Sequence, residues 1–450
     1  MPRAVNKQFA AYVPSGYKAA PTTGALRSAA GIVVAACSLF LLPSQVMGGT
    51  TYGIYDARTL GMGGASVASA NNDNAQFYNA ALLAFNEEAE ENTRDSRFLF
   101  PVLVPQISES VLTIEEISQD DFGGEISRAV RDFNTMPDAV GAQRIVDASA
   151  DLDRALEDLA GENLHSDIYF GMAVSEPGKL EGAGFFFGAR LLAGGQTDVS
   201  SDDRALLAAY QEGLTFVASG GSQGVEHPEL FDANGALVNP VNDLDSSANA
   251  VGAIITEAGV AMSRHVRLFR RSLAAGISFK VQRIDTFEDF DRVVNDRISP
   301  RRNSEYDAGF NLDLGFAKKI GERWRVGLAI KDLVPRDFET SLGTVVRLRP
   351  RARIGTAYQA GRLQIALDAD LTQSEPLGTG PVTQEASIGV EWAFGPLLKL
   401  RGGYRHDLEG NRDDIASLGV GTVWKRLAVD LAYAESKDTR AAALQFGIVF

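Results

Sequence analysis

The chain carries four histidines, His165, His227, His265 and His406, and one cysteine, Cys37. None of the histidines stands in a metal-ligand spacing such as His-Glu-x-x-His, so they read as rim or loop residues. His406-Asp407 is the nearest approach to a hydrolytic pair, yet the sequence sets no serine beside it, and the chain reads as non-enzymatic and without a cofactor or metal. Gly61, Gly63 and Gly64 begin like a dinucleotide loop, but Ser66 replaces the last glycine of that motif and no βαβ unit surrounds it, which leaves a compact turn. Glu288, Asp289 and Asp291 could hold calcium or bridge lipopolysaccharide through divalent ions; a solvated acidic loop is the stronger reading.

More informative are charges set on alternate positions of apolar stretches. Residues 306–316 place Tyr306, Ala308, Phe310, Leu312, Leu314 and Phe316 on one parity and Asp307, Gly309, Asn311, Asp313 and Gly315 on the other. Residues 323–331 set Trp324, Val326, Leu328 and Ile330 against Arg323, Arg325, Gly327, Ala329 and Lys331. Asp368 and Asp370, then Glu385 and Glu391, then Lys399, Arg401 and Arg405 hold the non-apolar parity of three further stretches. Period two is the signature of a strand. If the apolar parity faces lipid, opposite charges on neighbouring strands meet inside: Asp307 and Asp313 beside Arg323, Arg325 and Lys331, and Glu385 and Glu391 between Asp368/Asp370 and Lys399/Arg401/Arg405. Such pairing avoids isolated charges in a restricted interior and favours a filled, rigid lumen over an open pore.

The alternation recurs over residues 97–104, 166–175, 181–193, 250–262, 272–284, 304–316, 323–333, 351–360, 362–373, 383–394, 397–406, 413–424, 427–436 and 440–450. Many of these reach the length a tilted strand needs to cross a bilayer. Tight links at 360–361, 395–396 and 425–426 alternate with longer ones at 285–303, 333–351, 372–382 and 406–414. The expectation is an all-β membrane fold, an antiparallel transmembrane β-barrel of about 14 strands over residues 97–450, with tight periplasmic turns and long external loops. An even strand number puts both ends in the periplasm. Two stretches on the long-loop side do not alternate. The first, 106–165, has helical spacing at Ile126, Val130, Phe133 and at Ile145, Ala148, Leu152, Leu156, Leu159, and reads as an acidic helical flap; the second, 194–249, reads as a long external loop. Trp324, Trp392, Trp424, Tyr404 and Tyr433 fall near strand ends on the lipid parity, where interfacial aromatic belts belong.

Residues 29–42 form the one continuous apolar run, too short for a spanning helix and preceded by Arg3, Lys7, Lys18 and Arg27 without an acid. Residues 1–48 therefore read as a signal peptide, with cleavage near 48–51. Cys37 lies within the run; Val34 to Cys37 is similar to a lipoprotein box, but the greasy stretch continues past it, so the mature chain is expected to carry no thiol. Net charge is -15, and loss of the four signal cations leaves -19, which disfavours nucleic acid as a direct ligand. The partners expected are outer-membrane lipid and lipopolysaccharide.

Residues 56–84, DARTLGMGGASVASANNDNAQFYNAALLA, resemble the N-terminal hatch of the FadL/OMPP1-like outer-membrane barrels. The resemblance implies a plug over residues 49–96 inside the barrel, with Gly61, Gly63, Gly64 and Asn79 in its motif. The usual Asn-Pro-Ala is here Asn79-Ala80-Ala81, without the proline-stiffened turn. ITEAGVAMSRH at 255–265, FNLDLGFA at 310–317, VGLAIKDLVPR at 326–336 and RGGYRHDLEGNRDD at 401–414 are similar to the exported family named for conjugal transfer, TraF, as distinct from the thioredoxin-like protein that shares the name. The final strand, with Ala442, Leu444, Phe446, Ile448 and Phe450 apolar at every second position, resembles the C-terminal signal read by the barrel assembly machinery. Two functions follow as expectations: passive uptake of a hydrophobic or amphipathic small molecule past the hatch, or a structural part in conjugal transfer without transport.

Overall fold

The structure is a computed structural model and describes residues 47–48, 50–85, 96–161, 163–268, 271–292, 304–375, 377, 381–395 and 397–450. The expected signal peptide, apart from Met47 and Gly48, and Gly49 and residues 86–95 of the expected hatch lie outside the described residues.

Fourteen antiparallel strands close into one barrel. They are β1 (Arg97–Ser108), β2 (Asn163–Glu176), β3 (Glu181–Asp198), β4 (Ser247–Leu268), β5 (Arg271–Arg292), β6 (Ser304–Ile320), β7 (Trp324–Lys331), β8 (Arg351–Ala360), β9 (Leu363–Asp370), β10 (Glu385–Phe394), β11 (Leu398–Asp407), β12 (Ile415–Trp424), β13 (Leu427–Glu435) and β14 (Thr439–Val449). Each pairs with the next, and β14 closes on β1 through pairs such as Leu444–Leu103 and Ile448–Phe98. The strand count and order are those the alternation predicts. Short turns fall at one rim, together with Ser96 and Phe450, whose backbones are joined by a 2.9 Å hydrogen bond. Longer links fall at the other rim, except the tight link between β13 and β14.

Parity decides what each side chain meets. On β11, Leu398, Leu400 and Tyr404 point outward and are exposed, while Arg401, Arg405 and Asp407 point inward and are buried. On β14, Leu444 and Ile448 point outward and Gln445 inward. The whole outer wall repeats this pattern, with Phe185, Val260, Phe279 and Leu431 among its exposed apolar side chains, so the barrel presents an apolar band that water alone would not stabilise. Trp392, Trp424, Tyr404 and Tyr433 stand exposed on that outer face, and Trp324 packs against Tyr358 with ring centroids 4.9 Å apart.

The strands are not of equal length. β4 and β5 run 22 residues each, twice what a tilted strand needs to cross a bilayer, and they stand above the rest of the long-loop rim. A hairpin of Arg336–Glu339 with Val345–Leu348 folds against the inner face of this overhang, where Phe338, Val346 and Leu348 bury against Val251, Ala253, Ile255 and Ile284.

Between β1 and β2 the chain forms three helices, α3 (Glu109–Asp120), α4 (Phe122–Thr135) and α5 (Ala139–Leu159). The helical flap thus occupies the middle of the 106–165 stretch, since β1 continues to Ser108 and β2 begins at Asn163. The 194–249 stretch is not simply a loop: it carries α6 (Ser201–Ala218), started by Ser200, whose side chain accepts from the backbone N–H of Asp202 and Asp203. Leu207, Tyr210 and Leu214 of α6 share one core with Ile126, Phe133, Ile145, Leu152 and Leu156, which makes the two insertions a single helical layer. Among the described residues no helix is long and apolar enough to cross a membrane.

Candidate functional site

Residues 50–85 run down the barrel interior from the long-loop rim to the short-turn rim, and nearly all of them are buried. At the upper end Met47–Gly48 pairs in parallel with Gln373–Ser374 in the link after β9. Two short helices follow, α1 (Ala57–Gly61) and α2 (Ala75–Tyr78), then a 3-10 turn over Ala80–Ala84. Asp56 caps α1 by accepting from Thr59 N–H at 3.0 Å. Gly63 and Gly64 leave the helix at φ +67° and +97°, the left-handed region that a side chain disfavours. At the lower end the Leu83 carbonyl accepts from Gly178 N–H at 2.9 Å, and His265 Nε2 lies 3.1 Å from the Ala84 carbonyl.

Glycines on the inner wall let the hatch backbone touch the barrel backbone. A Cβ added to Gly389 would fall 2.5 Å from the Met62 carbonyl oxygen, and one added to Gly63 would fall 2.5 Å from the Tyr404 amide nitrogen. Cβ atoms at Gly276, Gly315, Gly327 and Gly403 would collide with Ala81, Asn79, Val67 and Gly63 respectively. The glycines stand side by side across strands: Gly276 opposite Gly315, Gly327 opposite Gly355, Gly389 opposite Gly403. Gly61 packs in the same way on Gly419 of β12. Asn79 fixes its turn with hydrogen bonds: its Oδ1 accepts from Ala81 N–H at 3.1 Å, and its Nδ2 donates to the carbonyls of Val67 at 2.8 Å and Phe316 at 3.1 Å.

Most of the expected lumen charges hold this plug or each other. Asp368 accepts from the backbone N–H groups of Ser66 at 2.7 Å and Val67 at 2.8 Å. Lys331 Nζ donates to the Phe77 carbonyl at 2.6 Å and lies 4.4 Å from the Tyr55 ring centroid. Arg325 stands over Phe85 at 5.1 Å. Glu391 is shared between Arg401 at 2.7 Å and the hatch residue Arg58 at 3.0 Å, and Arg401 also meets Asp430 at 2.5 Å. Arg353 bridges Asp370 at 2.5 Å and Glu385 at 3.1 Å, with its guanidinium 4.3 Å from the Tyr52 ring centroid. Arg405 lies 3.4 Å from Glu385 and donates to Gln106 at 3.0 Å. Asp313 pairs with Lys280 at 3.0 Å rather than with Arg325 or Lys331. Lys399 is half-buried at its inward position.

Two expected members lie elsewhere. Asp307 is above the enclosed lumen, its side chain 60% exposed and paired with Arg336. Arg323 is exposed in the short turn before β7 and donates to the outward-facing Tyr358 hydroxyl at 3.3 Å. Both sit at strand ends, where inward parity no longer means burial.

Several charges at the site escape a neighbour-by-neighbour reading. Lys280 is buried among Asp332 at 2.7 Å, Asp313 and Glu257 at 3.5 Å. Asp332 also pairs with Arg351, which reaches the hatch backbone at Thr51. Arg190 is held by Asp167 at 2.6 Å and donates to the Thr51 carbonyl at 3.0 Å. Paired in this way, the charges escape the several kcal/mol that burial of a lone ion costs. Beside the upper end of the hatch a cavity of about 90 Å³ remains, lined by Thr50, His165, Arg405 and Arg412 together with Leu164, Leu192 and Leu377.

Outside the barrel, the His227 ring contacts Glu229 at 2.8 Å and Glu212 at 3.2 Å, and these hydrogen bonds raise its pKa above the ordinary imidazole value. His406 faces outward and pairs with Asp414 at 2.5 Å, whose pKa its neighbours Tyr404 and His406 depress. Asp407, by contrast, points inward and accepts from the backbone N–H groups of Gln384 at 2.8 Å and Asn411 at 2.8 Å, so it orders a loop and does not orient His406. Among the described residues no three His, Cys, Asp or Glu side chains gather as metal ligands.

Comparison with solved structures finds the Ralstonia pickettii toluene transporter TbuX at 11% identity, covering 90% of this chain and 99% of that one, with a TM-score of 0.47. The Pseudomonas putida toluene transporter TodX matches at 12% identity over 90% of this chain and 98% of that one, TM-score 0.39, and the monoaromatic hydrocarbon channel CymD at 10% over 89% and 99%, TM-score 0.44. No curated protein matches the sequence. A family model described as F plasmid transfer operon, TraF, protein matches residues 76–370, from the second hatch helix to the end of β9. The chain therefore belongs to that TraF family.

Proposed function

We propose that this protein is a non-enzymatic barrel of the Gram-negative outer membrane that admits a hydrophobic or amphipathic small molecule by diffusion once its hatch moves. One observation carries the reading: a closed barrel with an apolar outer wall holds residues 50–85 inside it by glycine contacts and ion pairs. The apolar wall supports placement in a bilayer, with short turns in the periplasm and the helical layer outside. The packed hatch supports a gate over an open pore. Phe446, Ile448 and Phe450, all on the outer parity of the last strand, support handling by the barrel assembly machinery. Lipidomic profiling of the detergent-extracted protein tests the reading. It predicts a stoichiometric apolar or amphipathic compound and slower uptake of such compounds in a deletion strain; absence of both results would refute it.

Family membership and the helical layer favour a second reading, a scaffold in conjugal transfer without transport. Deletion in donor cells would then lower conjugation frequency while leaving uptake unchanged.

A further inference from the structure

The outer wall is not uniformly convex. At the short-turn rim, where β3 to β6 meet the 177–180 turn, it holds a groove of about 920 Å³. The groove opens on the side that the preceding reading places in lipid, and its size is that of a pocket for a sizeable organic ligand.

Register explains its shape and chemistry. One cross-strand row runs Ala183, Met262, Ile277 and Leu314, apolar throughout. The row nearer the rim runs Glu181, Arg264, Ala275 and Phe316. The small side chains Ala183 and Ala275 leave the depression, and Met262, Leu314 and Phe316 wall it. Lys179 adds a second cation from the turn, so the rim sets Lys179 and Arg264 beside Glu176 and Glu181. Above the groove the wall continues as the exposed apolar band of Phe185, Val260 and Phe279.

We propose that this groove binds one glycerophospholipid with a zwitterionic head group. The acyl chains lie along Met262 and Leu314; the phosphate meets Lys179 and Arg264, and the head-group ammonium meets Glu181. Charge complementarity selects this occupant, because a rim of balanced charge suits a phosphate that carries its own ammonium better than a purely anionic head. The site also touches the gate: the turn bearing Lys179 donates through Gly178 N–H to the hatch carbonyl of Leu83 at 2.9 Å. The inference rests on the bilayer placement proposed above and not on transport, so it stands whether or not a small molecule is taken up.

Native mass spectrometry of the full chain, delipidated in detergent and titrated with phosphatidylethanolamine or phosphatidylglycerol, tests it. The expected result is a single phosphatidylethanolamine adduct that survives collisional activation. Filling the groove with Ala275→Trp should lower its occupancy about tenfold, and the pair Lys179→Glu with Arg264→Glu severalfold. Heat-dependent gel migration reports whether each variant barrel is folded, and the charge pair tests the site even where the tryptophan does not fold. Adducts without a one-lipid maximum, equal or stronger retention of phosphatidylglycerol, or occupancy unchanged in folded variants would each overturn the proposal. None of these outcomes bears on uptake, which the lipidomic and deletion experiments address separately.

Discussion

Replacing Asp368 by alanine should free the hatch without dismantling the barrel. Its carboxylate accepts from Ser66 N–H at 2.7 Å and Val67 N–H at 2.8 Å, fixing the centre of the plug to β9. Hydrogen bonds to a charged group contribute about 1.5–3 kcal/mol each. Removing a buried carboxylate also removes its own desolvation penalty, which offsets part of that loss. A net loss of roughly 3 kcal/mol is reasonable, and that is about a hundredfold in the equilibrium for hatch opening. Strand pairing around Asp368 uses backbone groups with Gly355 and Ser387 and is untouched by the substitution. The assay is hydrogen–deuterium exchange of the folded protein in detergent, resolved by peptide. Exchange should rise about a hundredfold over residues 62–70 and stay level in β10 to β14. An unchanged hatch, or an increase spread evenly over the barrel, would refute the reasoning.

Other outcomes follow from the same geometry. Gly327→Leu places a side chain where Val67 of the hatch now lies, so the hatch should shift at a strain of about 1–3 kcal/mol, and cells carrying it should become sensitive to large antibiotics that wild-type cells exclude. In the helical layer, the raised pKa of His227 means that its contacts with Glu229 and Glu212 are fully present below the unfolded value near ~6.5 and are lost as pH rises through the higher folded value. Exchange around residues 221–230, corrected for its intrinsic pH dependence, should therefore increase over that window, and His227→Gln should abolish the change. Phe450→Ala should reduce the amount of protein reaching the outer membrane while leaving refolding of the purified chain into detergent nearly unchanged, because Phe450 is exposed and adds little packing. Equal losses in both measurements would make its role structural.

The barrel was legible in the sequence because a wall with two different faces writes itself as strict alternation. All fourteen strands are found where the alternation places them, and Gly63, Gly64 and Asn79 lie in the buried segment inside the barrel. What alternation cannot reveal is height along the axis. Asp307 and Arg323 have the inward parity, yet lie beyond the plug, where their charges meet water. Pairing between strands was partly legible: Glu391 does face Arg401, and the two are direct cross-strand neighbours. Lys280, Arg190 and Arg58 were not, because their partners depend on strand stagger and on a segment distant in sequence. The glycines of β5 to β12 look unremarkable one by one; only with the hatch in place do they form a surface. α6 was missed although Ser200 with Asp202 and Asp203 is a helix-start signal and Leu207, Tyr210 and Leu214 have helical spacing.

Residues 50–85 fill the interior of an otherwise continuous barrel. Planar-bilayer recording tests it most directly, by comparing the full chain with a variant in which residues 50–85 are deleted. The full chain should show a closed baseline with at most brief openings, and the deletion variant a large, steady conductance. Steady conductance of equal size in both would contradict the account.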